Sequence, residues 1–439
     1  MSSGLEWTRA AFRRRPRTRG VRPSLDGVLL DASCPACADR LAVPFYDGGT
    51  EPLTTVAWPR TSAEATAMSE LPLDFVRCVS CGHVYNRSFE CENVPYAEKP
   101  NLMFNQGALW KVHLEHISEC LLARLPGRPT VVEIGCGDGH LLRALADRNP
   151  DGRYLGYDLN GGIALAGGAV EARPMRFDPR RHIRAHRPDL VICRHMLEHM
   201  NDPLGFVQHL DFAVAWEGLS TRLFLEVPCI DRVLEAPRTT DFFYEHNSHF
   251  TTESFTRLLS RSTAEVDFVE RGYDGEVVYG MARLGSKRER IERATRALRF
   301  RQESCESEAR VRAQLDDLAR RGLRIAIWGG TGKAAAFVNR NGLDADRFPL
   351  VVDSDPAKVG THVPGMGQRI EAPEILTREP VDVLLIATQW RARDIVLEAE
   401  GLGLTPRQWL LEDRGRLVDY FRDPHPYRGA SRAPEVAPR

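Results

Sequence analysis

Val131-Val-Glu-Ile-Gly-Cys-Gly-Asp-Gly139 decides the fold of this chain, because a β-branched apolar run breaks there into three glycines at alternate positions. A buried strand thus runs into a turn whose backbone can approach a ligand closely, since glycine accepts conformations and contacts that a Cβ forbids. Further on, Tyr154-Leu-Gly-Tyr-Asp158 repeats an apolar strand that ends in an acid. In nucleotide-binding βαβ units a carboxylate at that place holds ribose hydroxyls. The two segments together point to an adenosine-containing cofactor. The glycines follow GxGxG, with Glu133 two residues ahead, and lack the GxGxxG closure that surrounds a dinucleotide pyrophosphate. Glycines that only make a tight turn are the plainer reading, and the matched acid downstream weighs against it.

At 439 residues the chain suits two or three domains. Its formal net charge of -1 gives no electrostatic reason to expect nucleic acid as a partner. There is no apolar run long enough to span a bilayer, and no apolar segment follows the arginines near the start. A cytoplasmic protein without a membrane partner is therefore expected. Arg13-Arg-Arg-Pro-Arg-Thr-Arg-Gly-Val-Arg22 is basic, contains proline and cannot bury a face. Residues 1–29 are accordingly expected to be a disordered extension, and 421–439 a disordered tail. A nucleic-acid or membrane tether is the sharper alternative for the basic run.

Four of the ten cysteines form two pairs, Cys34-Pro-Ala-Cys37 and Cys78-Val-Ser-Cys81-Gly82. Without an export signal, metal binding is favoured over oxidation. Four thiolates in this pattern can close a tetrahedral zinc site, which contributes folding free energy and leaves no open position for chemistry. A redox dithiol would need only one pair, in a thioredoxin-like context that is missing. Residues 30–95 thus read as a zinc-binding module, with Cys91 and His83 as the nearest other candidate ligands.

Apolar spacing predicts a helix over Leu102–Leu125, broken by Pro126 and Pro129. Asp189-Leu-Val-Ile-Cys193 and Arg222-Leu-Phe-Leu-Glu-Val227 are further buried strands, so residues 96–283 alternate strands and helices as an α/β Rossmann-like domain. Ligands then belong at the carboxyl ends of the strands, which draws attention to Arg194–His199 and to Glu226 onward. Asp178, after the weaker stretch Pro174-Met-Arg-Phe177, is placed to meet an adenine edge. Residues 284–322, crowded with Arg and Glu, read as a charged helical connector with a solvated face. In residues 323–420, Arg324-Ile-Ala-Ile-Trp-Gly-Gly-Thr-Gly-Lys333 and Leu350-Val-Val-Asp353 repeat the strand, turn and acid as a second Rossmann-like domain. There Gly332 and Lys333 are expected to hold a nucleotide or phosphate of the substrate through backbone N–H groups, a helix N-terminus and an ammonium. NAD binding and a ligand-free packing domain are the alternatives.

The glycine motif with Glu133 before it and Asp158 behind it resembles the first motif of class I S-adenosylmethionine (SAM) methyltransferases. That resemblance implies that Glu133 faces the methionine amino end, that Gly135 and Gly137 let backbone approach SAM, and that Asp158 holds the ribose diol. The whole order, from zinc pairs to second Rossmann-like domain, resembles the zinc-containing sugar C-methyltransferases. These three-domain enzymes of deoxysugar pathways alkylate a ring carbon of a nucleotide-linked keto-sugar. The resemblance runs from residue 30 to near residue 415. Its most specific parts are the CxxC pairs, Tyr244-Glu-His246 with Asn247-Ser-His-Phe250, and Val352-Asp-Ser-Asp-Pro-Ala-Lys-Val-Gly360 continuing to Pro364-Gly365.

A carbon beside a ketone becomes nucleophilic only after losing a proton, so such an enzyme needs a base near that C–H and a donor for the enolate oxygen. The resemblance implies His246 as the base, with Glu245 and the His199 of Met196-Leu-Glu-His199 orienting the site. The family's tyrosine falls on Phe243, its first histidine on Tyr244 and its later tyrosine on His249. Either Tyr244 does the phenol's work from one residue along, as proton carrier or enolate donor, or the substrate differs from the usual TDP-4-keto-hexose. His249 joins Gly332 and Lys333 as an expected substrate contact. Satisfied core histidines are the plain reading of His246 and His199. The rivals are O- or N-methylation of a natural-product scaffold and an inactive SAM- or substrate-binding protein; the sugar, the nucleotide and the oligomeric state stay open.

Overall fold

The computed structural model describes residues 28–96, 107–160, 169–263, 265–285 and 288–428. Four antiparallel strands come first: β1 (Leu30–Asp31), β2 (Leu41–Pro52), β3 (Glu70–Cys78) and β4 (Val84–Asn86). The parallel strands β5 (Thr130–Ile134), β6 (Arg153–Tyr157), β7 (Val170–Arg173), β8 (Leu190–Arg194) and β9 (Arg222–Pro228) follow, with helices between them. Next, β10 (Ser248–His249) leaves this layer and pairs with β4. The hairpin of β11 (Glu265–Gly272) and β12 (Val277–Arg283) then closes the larger sheet against β9. The resulting order is β11-β12-β9-β8-β5-β6-β7. Val131, Val132, Leu155, Val191, Ile192, Leu223 and Phe224 are 0% exposed, which is why these strands read as unbroken apolar runs: both faces of the parallel sheet are covered.

The chain divides into two units, the first ending at Ile291 and the second beginning at Glu292. The cysteine module therefore does not stand apart from the larger sheet. Its four thiols share one core with Val207, Leu210 and Phe250, as a module too small to bury an adequate core alone requires. In the second unit, β13 (Ile325–Trp328), β14 (Leu350–Val352), β15 (Ile370–Glu371), β16 (Val383–Ile386), β17 (Gln408–Asp413) and β18 (Arg416–Asp419) form a sheet in the order β15-β14-β13-β16-β17-β18. All its neighbours are parallel except the last pair.

Four local readings change. The strand before Asp178 is Val170–Arg173 rather than the stretch after it, because Pro174 has no N–H to give to a ladder. The helix expected from Leu102 is described as Ala108–Leu122, its first residues lying outside the described set. The charged helix, Arg288–Arg320, is more than a connector: Val311, Leu315 and Leu318, one turn apart, are buried in the core of the second unit. The tail expected from 421 is structured through Arg428: the His425 ring stands 5.0 Å from the Tyr420 ring, donates from Nε2 to the Tyr420 carbonyl at 2.8 Å and accepts at Nδ1 from Tyr427 N–H at 3.1 Å. The basic run Arg13–Arg22 and residues 429–439 lie outside the described residues.

Candidate active site

A cavity of about 560 Å³ opens at the carboxyl edge of β5, β6 and β8, and Glu133, Gly135, Gly137, Asp158, Phe177 and His199 are on its wall. Gly135, Gly137 and Gly139 have φ of 70°, 53° and 74°, the left-handed conformation that lets the turn fold back over the strand end. A Cβ on Gly135 would come within 1.9 Å of the Met196 sulfur. Glu133 is 3% exposed and its Oε2 has no hydrogen-bond partner among the described residues. Burial pushes its pKa up to about 8 against the pull of Arg194. An orphaned buried carboxyl oxygen on a cavity wall is what an ammonium group satisfies. Asp158 accepts from Gly137 N–H at 3.0 Å and from Asn160 N–H at 2.8 Å, so it braces the glycine turn from the cavity wall. These residues fit SAM. Asp158→Ala is expected to weaken SAM binding by roughly 1.5–3 kcal/mol, the scale for hydrogen bonds to a charged group, and wild-type affinity by calorimetry would refute the placement.

Asp178 does not take the adenine role expected of it. Its carboxylate caps the helix Pro179–His186, accepting from Arg180 N–H at 2.9 Å and Arg181 N–H at 3.3 Å, while Met175, Arg176 and Phe177 before it line the cavity. Asp followed by proline at the first helical position was the signal for that cap.

At the strand ends that the sequence singled out, Arg194 and His195 on the cavity wall join a buried charge cluster. Glu226, 0% exposed, accepts from Arg194 at 2.7 and 2.9 Å, from His113 at 2.6 Å and from His195 at 3.0 Å. Burial alone would raise the Glu226 pKa, but Arg194, His113 and His195 hold it well below the carboxylate range. Burial likewise opposes a charge on His195, yet Glu198 and Glu226 outweigh it and lift the pKa to about 9. His195 has a φ of 49°, strain that this network sustains at the edge of the site.

At the other end of the cavity stands His199. Its Nδ1 lies 2.7 Å from the Glu245 carbonyl oxygen, which can only accept, so Nδ1 carries the proton and Nε2 keeps its lone pair. Tyr96, unanticipated from sequence, donates to the same oxygen at 3.0 Å, and Asn160 donates to the Tyr96 carbonyl at 2.6 Å. His246 places its ring 4.7 Å from that of His199 and 4.3 Å from that of Phe243. Burial, with the imidazoles of His199, His249 and His195 around it, holds the His246 pKa well below its ordinary value.

The neighbours of His246 are put to other uses than expected. Tyr244, 0% exposed, accepts from Glu90 N–H at 2.9 Å and from Asn93 Nδ2 at 3.1 Å, and its ring packs on Phe89. These contacts make it a brace of the N-terminal module. The Glu245 carboxylate accepts from the N–H groups of Thr54 and Thr55 at 2.7 Å and of Val56 at 3.4 Å, so Glu245 orients His199 through its carbonyl alone. His249 is wedged between Phe75 and Phe242, not on the wall of the cavity, and burial lowers its pKa to about 3. Tyr244→Phe should therefore cost about 1–3 kcal/mol of stability through the donors left unpaired. The same change should alter turnover less than about tenfold, well short of the loss of an acid-base group, as thermal melts and steady-state rates can check.

The four module cysteines come together at 2% exposure or less. Cys34 Sγ lies 3.6 Å from Cys81 Sγ, Cys37 Sγ lies 3.6 Å from Cys78 Sγ, and all four atoms fall within 4.8 Å of one another. A zinc tetrahedron with Zn–S of about 2.3 Å has sulfur-sulfur edges of about 3.8 Å, so the cluster fits that ion. His83 and Cys91 take no part: His83 packs on Phe250 and meets Ser248 Oγ at 3.3 Å, and Cys91 lines the cavity.

In the second unit Gly330 N–H donates to Asp353 Oδ2 at 3.1 Å, and a Cβ on Gly330 would meet Ile370 at 2.4 Å. Gly332, with φ of 58°, precedes the helix Lys333–Arg340. Lys333 lies with Arg310, Arg340 and Arg414 on the wall of a separate cavity of about 850 Å³, its ammonium 5.9 Å above the Trp390 ring.

Residues 111–267 match the family described as a methyltransferase domain, and residues 282–404 the family described as a C-methyltransferase C-terminal domain. No curated protein matches the sequence. Among solved structures the chain is similar to the pyocyanin biosynthetic protein PhzM, at 18% identity and a TM-score of 0.31 over 40% of this chain and 55% of that one. It is also similar to magnesium protoporphyrin IX methyltransferase ChlM from Synechocystis PCC 6803, at 17% identity and a TM-score of 0.31 over 42% of this chain and 90% of that one. A third is the 1,6-didemethyltoxoflavin-N1-methyltransferase of Burkholderia thailandensis, at 16% identity and a TM-score of 0.31, over 40% and 81%. The chain thus spans about half the length of PhzM. The protein is a SAM-dependent methyltransferase. The two family matches, in this order, support a SAM-dependent C-methyltransferase family. Among the described residues no helix is long and apolar enough to cross a membrane.

Proposed function

We propose that the protein transfers a methyl group from SAM to a carbon beside a ketone in a nucleotide-linked keto-sugar or a related small metabolite. The observation that carries this reading is the His199–His246 pair: His199 is on the cavity wall with its tautomer fixed by the Glu245 carbonyl, and the His246 ring stands 4.7 Å from it. Bound SAM supplies an electrophilic sulfonium methyl. Glu133 and Asp158 hold the two ends of that cofactor, the strained turn at His195 excludes water beside it, and the acceptor loses its proton at the His199–His246 pair. In the second unit, the turn ending in Gly332 and Lys333 takes the phosphates of the substrate nucleotide, through its backbone N–H groups and the Lys333 ammonium, on a wall that also carries Glu303, Glu308 and Glu412. Cys34, Cys37, Cys78 and Cys81 hold one structural zinc. Incubation with labelled SAM and a panel of TDP- and GDP-keto-sugars, with the label located by NMR, tests the reading. Methyl on oxygen or nitrogen would replace it by an O- or N-methyltransferase, a rival favoured by Phe243 standing where the family has its phenol.

A further inference from the structure

Three neighbouring strands place a row of charges on one side of the larger sheet. Glu133 of β5 pairs with Ile192 of β8, and Arg194, two residues on from Ile192, pairs with Glu226 of β9, so the side chains of Glu133, Arg194 and Glu226 stand on the same face. The helix Ala108–Leu122 covers that face: its Trp110 ring lies 5.5 Å from the Arg194 guanidinium, and its His113 reaches Glu226. Arg194 has a side chain nine-tenths buried and gives its Nε and Nη2 edge to one oxygen of Glu226. Among the described residues no acceptor meets its Nη1, and Arg194 is on the wall of the cavity of about 560 Å³. Glu133, on the same wall, keeps a bare Oε2. One unmet anion and one half-met cation thus stand a single strand apart.

We propose that Arg194 grips the α-carboxylate of the methionine moiety of SAM while Glu133 takes its α-ammonium, with Glu226, His113 and His195 as positioning residues that aim the Arg194 fork. The inference rests on the reading of this cavity as the place of SAM. Charge matching selects the ligand class. An ammonium alone would satisfy Glu133 and leave the outer donors of Arg194 without an acceptor, and a carboxylate alone would do the reverse, where an unpaired charge is costly. Only a zwitterion meets both, and an α-amino acid carries its two charges on one carbon. With the Nε and Nη2 edge spent on Glu226, the Nη1 and Nη2 edge still offers two parallel N–H bonds, the pattern a carboxylate matches with both oxygens. Fixing the first edge sets the second before the cofactor arrives, so little side-chain freedom is lost on binding. Glu226 can serve in this way because it is itself held, by His113 Nε2 at 2.6 Å and by His195 Nε2 at 3.0 Å. His195 in turn stands between Glu226 and Glu198, whose carboxylates sustain its charge against burial.

The test compares SAM with decarboxylated SAM, which keeps the sulfonium and the amine and lacks only the carboxylate, by calorimetry on the full-length protein. Wild type should bind decarboxylated SAM about 10–100-fold more weakly, the span that hydrogen bonds between charged groups contribute. Arg194→Lys keeps a cation beside Glu226 but loses the fork, so it should bind SAM about tenfold or more weakly than wild type and decarboxylated SAM as wild type does. Glu226→Gln should narrow the same gap between the two ligands, which a general loss of folding would not do, since that weakens both alike. Asp158→Ala is the control, expected to weaken both ligands by one factor. Equal affinity of the wild type for the two ligands overturns the proposal and leaves the cofactor cavity standing. A gap that persists in Arg194→Lys, whether both ligands weaken or neither does, overturns it as well. Wild-type binding of both ligands by Asp158→Ala removes SAM from this cavity, and the proposal with it.

Discussion

His246→Ala is expected to bind SAM as the wild type does and to lose methyl transfer by ~10²–10⁴-fold, the span that a group acting on the acceptor's proton contributes. The separation of the two effects follows from position. Glu133, Gly135 and Asp158 are on the cavity wall, whereas His246 is not among the lining residues, its ring lying against those of His199 and Phe243. If the acceptor's proton leaves at this pair, exchange of the acceptor C–H with deuterated solvent must fall together with methylation, since both begin with the same event. Isothermal calorimetry for SAM, single-turnover rates and deuterium exchange by NMR on one preparation give the three readouts. Exchange at the wild-type rate in the variant would move the proton loss away from His246. His249, enclosed by Phe75 and Phe242, is a poor successor, so His199, which is on the cavity wall beside His246, would be the next candidate.

The cofactor end was legible in the sequence because its signals are local. Three glycines at alternate positions after an apolar run need no tertiary information to be read as a turn over a strand end, and Asp158 closes the next such run. The cysteine pairs were legible for the same reason: two residues between sulfurs is a spacing that a single turn imposes. The acceptor end was harder. Residues 242–250 form no long element, so nothing in their periodicity says which side chains face the cavity. That is set by β10 joining β4 in the other sheet, with Asn247 holding Asn86 N–H at 2.9 Å and its side chain reaching the Met200 carbonyl at 2.8 Å. Tyr244 thus turns into the module while His246 turns toward His199. The cluster of His113, Arg194 and Glu226 is likewise assembled by sheet order from residues as far apart as 113 positions, a pairing that no local pattern encodes. Tyr96 gave no signal, since its place depends on an amide from the loop after β6.

The same join between the two sheets gives the thiol cluster a consequence beyond stability. Cys78 ends β3 and Cys81 ends the turn that follows it, and β4 carries β10 through the pairs Ser248 with Tyr85 and His249 with Val84. A second tie runs from Leu204 N–H to the Pro35 carbonyl at 3.2 Å, between the first cysteine pair and the helix that follows the His199 loop. Removing one ligand from a closed four-sulfur site forfeits part of a binding free energy of about 10–16 kcal/mol. Even a quarter of it, roughly 3 kcal/mol, at ~2–4 °C per kcal/mol for a domain of this kind, lowers the melting temperature by on the order of 10 °C. Cys78→Ser is therefore expected to lose its thiolate-bound zinc, to melt at that lower temperature and, below it, to lose methyl transfer more than SAM affinity. The order of the last two is the discriminating part, because the residues proposed to hold SAM are on the loops of β5, β6 and β8, whereas the segment of His246 is anchored through β10. Metal analysis, calorimetric melts and paired binding and turnover measurements decide it. A metal-free variant with wild-type melting would remove the zinc from the account, and one that loses SAM affinity and turnover in equal measure would break the link from the thiols through β4 and β10 to His246.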